Sequence, residues 1–258
     1  HGPVFGVTSA CASGAHAMLL AHMLIRTGLV DVAVAGGTDS CFSDGYLRAW
    51  DALRVVAPDT CRPFSKERAG LILGEGAGMF VLERKGRAGA RGQAVVGRFL
   101  GGGMSCDAGD LLAPDPDGMT TAMALALADA GIAASEIDYV NAHGTGTPAN
   151  DRAEARAVNA LFGGRDTPLP VSSTKSMIGH ALGAAGALEG IATVSALNAG
   201  IIPPTMNYMS ADPACDIDPV PNAPRPADIA VGLSNSFAFG GLNVSLVFAR
   251  GDWEGGTA

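Results

Sequence analysis

Three kinds of side chain scattered along this sequence, a thiol, imidazoles and an amine, have the chemistry for nucleophilic and proton-transfer work. Cys11 lies within VTSACASGAHAM (residues 7–18), between a short apolar run and a helix-like run, with small residues on both sides. Where a strand hands over to a helix, a thiol meets unpaired backbone N–H groups and the positive end of the helix dipole. Both favour the thiolate, so this reading predicts a lowered pKa and a nucleophile, with nearby amides able to hold an oxyanion. The competing reading is a small buried hydrophobe, because free cysteine is among the most buried residue types. Position alone does not choose between them. Cys41, Cys61, Cys106 and Cys215 have no such context and are assigned to packing.

Histidines supply the second and third groups. NAHGTGTP places His143 just beyond a predicted strand, followed by Thr145 and Thr147, and in parallel sheets that end is where ligands bind. TKSMIGHALGAAGALE puts Lys175 at another strand end and His180 at or near the next helix start, a place that pushes imidazole toward its neutral form. A pair of structural histidines is the plain alternative. His16 and His22 fall inside the helix after Cys11 and are assigned to packing, and His1 is terminal.

Bringing these groups together calls for a layered α/β scaffold. Residues 3–9 (PVFGVTS), 30–37, 77–84, a run opening at 94, 137–143, 168–175, 229–237 and 242–250 read as strands, the second as a buried parallel one without alternation. Helices are predicted over 11–27, 120–131, 151–163 and 180–200, with Gly28, Gly131 and Gly200 at or just past their ends. KGRAGARGQ (85–93) is the best internal boundary. PVFGVTS and PLPVSST each precede a Gly/Ala-rich helix, and GEGAGMFVLER echoes AFGGLNVSLVF, which points to a duplicated α/β unit. The first unit reads as two strands short, and the chain opens without methionine, already entering a strand, so a missing upstream piece is expected.

The 258 residues suffice for one large domain or two small ones. Apolar residues make up 48% but aromatics only 5%, so the core is one of Ala, Val, Leu and Ile, with 36 glycines allowing close backbone approach. A net charge of −8 and a pI near 5.0 argue against a nucleic-acid partner. Five scattered cysteines without CxxC spacing fit neither a disulfide framework nor a zinc site and favour a cytoplasmic location. No apolar run is long enough to cross a membrane, so no membrane partner is expected.

Taken in order, VTSACASGAHA, NAHGTGTP, SSTKSMIGHALGAAGALE and NSFAFGG resemble the β-ketoacyl-acyl carrier protein synthases of the elongating Cys-His-His type, nearest to ketoacyl synthase II and its polyketide relatives. The likeness runs over nearly the whole chain. It implies a thiolase-like duplicated layered fold (αβαβα) with an incomplete first half. Residues 1–84 would be the C-terminal part of the N-terminal half, and 94–250 the C-terminal half. The implied activity is decarboxylative Claisen condensation of an acyl-enzyme thioester with malonyl-acyl carrier protein, in fatty-acid or polyketide elongation. Cys11 would carry the acyl chain, and His143 and His180 would bind the malonyl thioester carbonyl. Lys175 and Glu189 match the ion pair that fixes the histidines. Phe237 matches the gating aromatic, whose N–H joins that of Cys11 in an oxyanion hole. Thr145 and Thr147 match residues touching the phosphopantetheine arm. No bound cofactor and no metal are implied. The phosphopantetheine arrives on acyl carrier protein, the substrates are acyl and malonyl thioesters, and the protein is expected to be a homodimer paired through PVFGVTS.

Asp151 and Glu154 are read as structural, since charged pairs at (i, i+3) commonly stay solvated or capped. Ala238 and Leu242 depart from the family's gating loop, and Ala238 stiffens a backbone that glycine would leave free. By the same resemblance Trp50 matches a position the family tends to place near the acyl tunnel, where a large indole would either limit chain length or pack in the core. Ser65 replaces a more usual acidic residue. Rival readings fare worse. A chain-length factor would lack Cys11, a thiolase would have a second cysteine in the closing loop, and a starter-unit synthase would have Asn at the place of His180. An inert fragment remains the reading from another class.

Overall fold

The computed structural model describes residues 2–40 and 42–255; Cys41 and His1 lie outside them. Helix α1 (Ser13–Arg26) leads to strand β1 (Val32–Asp39), helix α2 (Asp44–Ala52) and strand β2 (Gly76–Glu83). A one-turn helix α3 (Arg87–Ala90) interrupts the polar connector before β3 (Gly97–Cys106). Then come α4 (Pro116–Ala130), β4 (Tyr139–Asn141), α5 (Pro148–Phe162), β5 (Val171–Ser172), the short α6 (Lys175–Ile178) and α7 (Ala185–Ala199). Strands β6 (Ile201–Ile202) and β7 (Arg225–Pro226) form a small pair, and β8 (Val231–Ala238) and β9 (Leu242–Arg250) close the chain.

Five strands in the order β3-β9-β8-β4-β5 make the main sheet. Its β4 runs parallel to β5 and β8, whereas β9 runs antiparallel to β8 and β3. Alternation along β9 sorts the core. Val247 and Ala249 face one apolar cluster with Met123 of α4 and Val158 of α5, while Val244, Leu246 and Phe248 face another with Met18 of α1 and Leu197 of α7. Helices α1 and α7 also pack on β1 and β2, so the layers run helix, sheet, helix, sheet. This is the layered α/β order expected from the sequence. Helix α7 is apolar nearly all round because it is covered from both sides.

Small residues set the spacing between layers. A Cβ on Gly186 of α7 would lie 2.8 Å from the Cβ of Ala15, so α1 and α7 touch backbone to backbone. On β3, a Cβ at Gly103 would overlap the Ala122 carbonyl and the Ala126 amide of α4. Helix α4 is capped at both ends. The Asp115 carboxylate accepts from the Asp117 N–H, Pro116 occupies the first turn, and Gly131 is left-handed at φ +68°.

Three predicted elements differ. Residues 3–9 form no strand, and Val4 is 97% exposed, because no strand lies beside them among the described residues to complete a ladder. Strand β1 is antiparallel to β2 and half exposed rather than parallel and buried, since no layer among the described residues covers its outer face, where Val34, Met79 and Val81 are exposed. Helix α7 begins at Ala185 instead of 180, because the backbone of His180 is bonded to residues 72–74 as an extended bridge. Among the described residues no helix is long and apolar enough to cross a membrane.

The layer spacing gives a direct test. Gly103→Ala should lower stability by about 1–3 kcal/mol, the usual cost of overpacking. Gly89→Ala, with nothing within 4 Å of the added carbon, should change it little. Urea midpoints for both variants check this, and equal midpoints would contradict it.

Candidate active site

Cys11 sits on a braced turn ahead of α1. Ala10 is left-handed at φ +49°, a conformation rarely taken by residues other than glycine. Ser13 holds it there: its Oγ donates to the Ala10 carbonyl (2.7 Å) and accepts from the Ser9 N–H (2.9 Å). The Ala12 N–H donates to the Ser9 carbonyl (3.1 Å), closing the turn. Contrary to the expected lowered pKa, burial pushes the Cys11 thiol up to about 11, with Lys175 pulling the other way. Cys11 precedes the first helical residue by two and is 6% exposed, and desolvation is the largest cause of the rise. The resting group is a thiol.

His143 follows β4 on a turn held from beneath by α5. The Glu154 carboxylate accepts from the backbone N–H groups of His143 (2.8 Å) and Gly144 (2.7 Å). That of Asp151 accepts from Gly146 (3.2 Å) and Phe64 (2.7 Å). Both carboxylates are fully buried and take the capping rather than the solvated form of the structural role expected for the (i, i+3) pair. Burial pushes each up to about 6, against these backbone hydrogen bonds. The amide of Asn235 reaches Glu154 from β8 (3.3 Å), tying the turn to the sheet. Thr147 caps α5 without a side-chain bond to the helix, because its hydroxyl meets that of Thr145 at 2.8 Å.

Lys175, 1% exposed, is the hub. Its ammonium donates to the His143 carbonyl (2.6 Å) and His143 Nδ1 (3.2 Å) and pairs with Glu189 on α7. An ammonium only donates, so His143 Nδ1 accepts and the proton of this ring sits on Nε2. Burial raises the Glu189 carboxyl to about 7, and the ammonium opposes that rise.

His180 is placed by strand-like pairing. Its N–H donates to the Ile72 carbonyl (2.7 Å), and its carbonyl accepts from the Gly74 N–H (2.9 Å). The Leu182 N–H donates to its Nδ1 (3.3 Å), which again leaves the proton on Nε2, and that atom is buried with no hydrogen-bond partner. The two rings stand nearly perpendicular at 84°, with centroids 5.3 Å apart. Burial first, and Lys175 second, hold both well below the ordinary histidine pKa, so both are neutral. A helix N-terminus is not needed to account for this.

Cys11, His143, His180, Phe237, Thr145 and Thr147 all line one narrow cavity of about 80 Å³. Lys175 and Glu189 stand behind the His143 ring rather than in the cavity wall. The Phe237 ring lies 6.3 Å from that of His143. Trp50, Leu71 and Phe239 extend the apolar wall, and Leu111 and Leu112 line it from the loop after β3. Thr145, Thr147 and Asn150 offer hydroxyl and amide groups to a polar chain entering there. Among the described residues no cluster of His, Cys, Asp or Glu is arranged to hold a metal ion. The arrangement can present two neutral N–H donors to one oxygen beside a thiol.

Some supporting residues escaped the sequence reading. Leu111 and Leu112 gave no signal, being apolar residues in a loop. Asp151 and Glu154 were read as structural, but nothing local showed that they reach the glycine-rich turn after β4. Ser65 is fully buried. Its Oγ donates to Glu67 (2.6 Å) and accepts from the N–H groups of Met209 (3.1 Å) and Ser210 (3.3 Å), so a hydroxyl and a neighbouring carboxylate together anchor the segment that carries Phe64. Cys61 and Cys215 are buried, as assigned, but Cys106 is exposed at the end of β3. His22 stacks on Phe99, with centroids 4.6 Å apart, and half-buried His16 bonds to Ser9 (2.8 Å).

Comparison with known proteins gives the family. The family descriptions "Beta-ketoacyl synthase, N-terminal domain" and "Beta-ketoacyl synthase, C-terminal domain" match residues 1–88 and 96–209. Over 249 residues the chain is 53% identical to nodulation protein E of Rhizobium sp. (strain N33), covering 96% of this chain and 62% of that protein. It is 41% identical to 3-oxoacyl-[acyl-carrier-protein] synthase 2 of Synechocystis sp. over 257 residues, with the same coverage of both. The solved ishigamide ketosynthase/chain length factor superposes with a TM-score of 0.92 at 42% identity, covering 96% of this chain and 60% of that one. The chain thus spans about three fifths of the length of the curated relatives it matches. Its layers are those of the thiolase-like ketosynthase fold, and it belongs to the β-ketoacyl synthase family.

Proposed function

We propose that this chain carries the condensing centre of a β-ketoacyl-acyl carrier protein synthase, joining an acyl thioester to malonyl-acyl carrier protein to give 3-oxoacyl-acyl carrier protein. One observation carries the reading: both imidazoles are neutral and protonated on Nε2, beside a buried thiol in one cavity.

In the first half-reaction the Cys11 sulfur attacks the acyl thioester carbonyl. The carrier's pantetheine sulfur leaves and takes up the proton that the Cys11 thiol gives up. The oxyanion formed in passing is held by the N–H groups of Cys11 and Phe237. In the second, the Nε2–H groups of His143 and His180 donate to the malonyl thioester oxygen. Loss of carbon dioxide leaves an enolate on that oxygen, which two neutral donors stabilise without delivering a proton to carbon as readily as an acid would. The enolate carbon attacks the acyl-Cys11 carbonyl, the carbon–sulfur bond breaks, and the departing Cys11 thiolate takes a proton from water. A covalent intermediate divides transfer from condensation, so kinetics are ping-pong.

Lys175 and Glu189 act as positioning residues, fixing the tautomer of His143, and Phe237 gates the cavity. Thr145 and Thr147 contact the phosphopantetheine arm delivered on acyl carrier protein. The reading includes a unit boundary between 84 and 94, supported by the two separate sheets on either side of it, and a cytoplasmic setting. It also includes a homodimer in which residues 3–9 pair with their copies, supported by the exposure of Val4 and Phe5. A second reading, the ketosynthase subunit of a type II polyketide system, is favoured by the 42% identity to a ketosynthase/chain length factor.

Cys11→Ala should abolish acyl transfer, leaving no acyl adduct in intact-protein mass spectra. Cys11→Gln should keep decarboxylating malonyl-acyl carrier protein, because both imidazole donors remain. Condensation at the parent rate by the alanine variant would refute the nucleophile. Sedimentation of the protein should give a dimer, and a monomer at every concentration would remove the pairing of residues 3–9.

A further inference from the structure

Asp39, the last residue of β1, reaches across to the segment that follows His180. Its carboxylate accepts from the Gly183 N–H (3.0 Å). The Gly183 carbonyl is in close backbone contact on two further sides. A Cβ on Gly37 of β1 would lie 2.5 Å from that oxygen, and one on Gly14 of α1 would lie 3.1 Å from it. Gly183 is thus fixed at both its N–H and its carbonyl by the first part of the chain. Residue 180 is fixed as well, through the pairing of its backbone with Ile72 and Gly74. Between these anchors Leu182 is left-handed at φ +48°, a conformation that a bulky side chain takes only when its surroundings impose it. The N–H of this strained residue is the one that donates to His180 Nδ1 (3.3 Å). Released at Gly183, Leu182 would relax toward ordinary backbone angles and turn that N–H away from the ring.

We infer that Asp39 is a positioning residue for the condensation: by holding Gly183 it keeps the Leu182 N–H on His180 Nδ1, and so keeps the ring proton on Nε2. This rests on His180 being an Nε2–H donor to the malonyl thioester oxygen, as proposed above. The Gly183 N–H needs an acceptor rather than a charge, so a neutral carbonyl oxygen of the same reach serves equally. His143 draws its tautomer from Lys175. Loss of Asp39 therefore disturbs one ring and spares the other.

The test is nitrogen-15 NMR of the histidine-labelled parent, Asp39→Ala and Asp39→Asn, with decarboxylation of malonyl-acyl carrier protein measured on each. Asp39→Ala should shift the His180 Nδ1 resonance as its hydrogen bond from Leu182 is lost, and leave both nitrogens of His143 in place. Its kcat for decarboxylation should fall, by up to about 100-fold for a donor misplaced by roughly 1 Å, with KM changed far less. Asp39→Asn, whose amide oxygen still accepts, should restore both readouts. A folded alanine variant with the parent's His180 resonances, or an asparagine variant as altered as the alanine one, overturns the inference. Should the alanine variant fail to fold, amide hydrogen exchange on the parent takes its place. The Gly183 N–H should be protected, and exchange at the rate of an unstructured glycine overturns the inference. Decarboxylation that survives His180→Ala at the parent rate overturns instead the reading on which this inference rests.

Discussion

A single ammonium group, buried to 1% exposure, constrains everything around it. A charge cannot be taken into a protein interior unless partners replace its water. Lys175 has three N–H donors, and three acceptors meet them: the Glu189 carboxylate, the His143 carbonyl and His143 Nδ1. Removing one partner of such a buried pair costs roughly 3–5 kcal/mol, so α6, α7 and the turn after β4 are bound together by necessity. That same necessity orients a ring. Because the ammonium has no lone pair to offer, His143 accepts on one nitrogen and must carry its proton on the other.

The layered architecture gives this arrangement its dryness and its aim. His180 gets its tautomer from a different source, the Leu182 backbone N–H, and its place from extended pairing with residues 72–74 in the first part of the chain. Cys11 comes from that first part as well, on a turn that Ser13 holds shut. Two stretches of chain are therefore interlocked at the cavity, joined by the glycine-mediated contact of α1 with α7. Beneath the His143 turn, Asp151 and Glu154 take up four backbone N–H groups. Their burial raises their pKa values to about 6, and those amides work against the rise.

Residue type and glycine-rich junctions singled out Cys11, His143, Lys175 and His180 but left a buried hydrophobe and structural histidines as alternatives. The resemblance of four motifs in order is what assigned them to one site. The layers were legible from apolar runs and from glycine stops such as Gly131. What was not legible depends on neighbours far along the chain. The dipole argument for Cys11 gave the wrong sign because it cannot count the apolar groups that close over the sulfur. The spacing of Asp151 and Glu154 suits a solvated helix start equally well, and only the fold turns it beneath the His143 turn. Residues 3–9 carry a strand pattern, but a strand needs a partner, and local sequence does not provide one. His180 was expected near a helix start, and pairing with residues 72–74 delayed the helix by five residues.

The central claim is that both imidazoles meet the cavity as neutral Nε2–H donors. Nitrogen-15 NMR of histidine-labelled protein reads this directly, since protonated and unprotonated ring nitrogens differ widely in shift. Desolvation and Lys175 both disfavour the imidazolium. The prediction is therefore that His143 and His180 each keep a protonated Nε2 and a bare Nδ1 from about pH 8 down to about pH 5, through the range where an ordinary histidine gains its charge. A ring that titrates near 6.5, or one carrying its proton on Nδ1, would contradict the account.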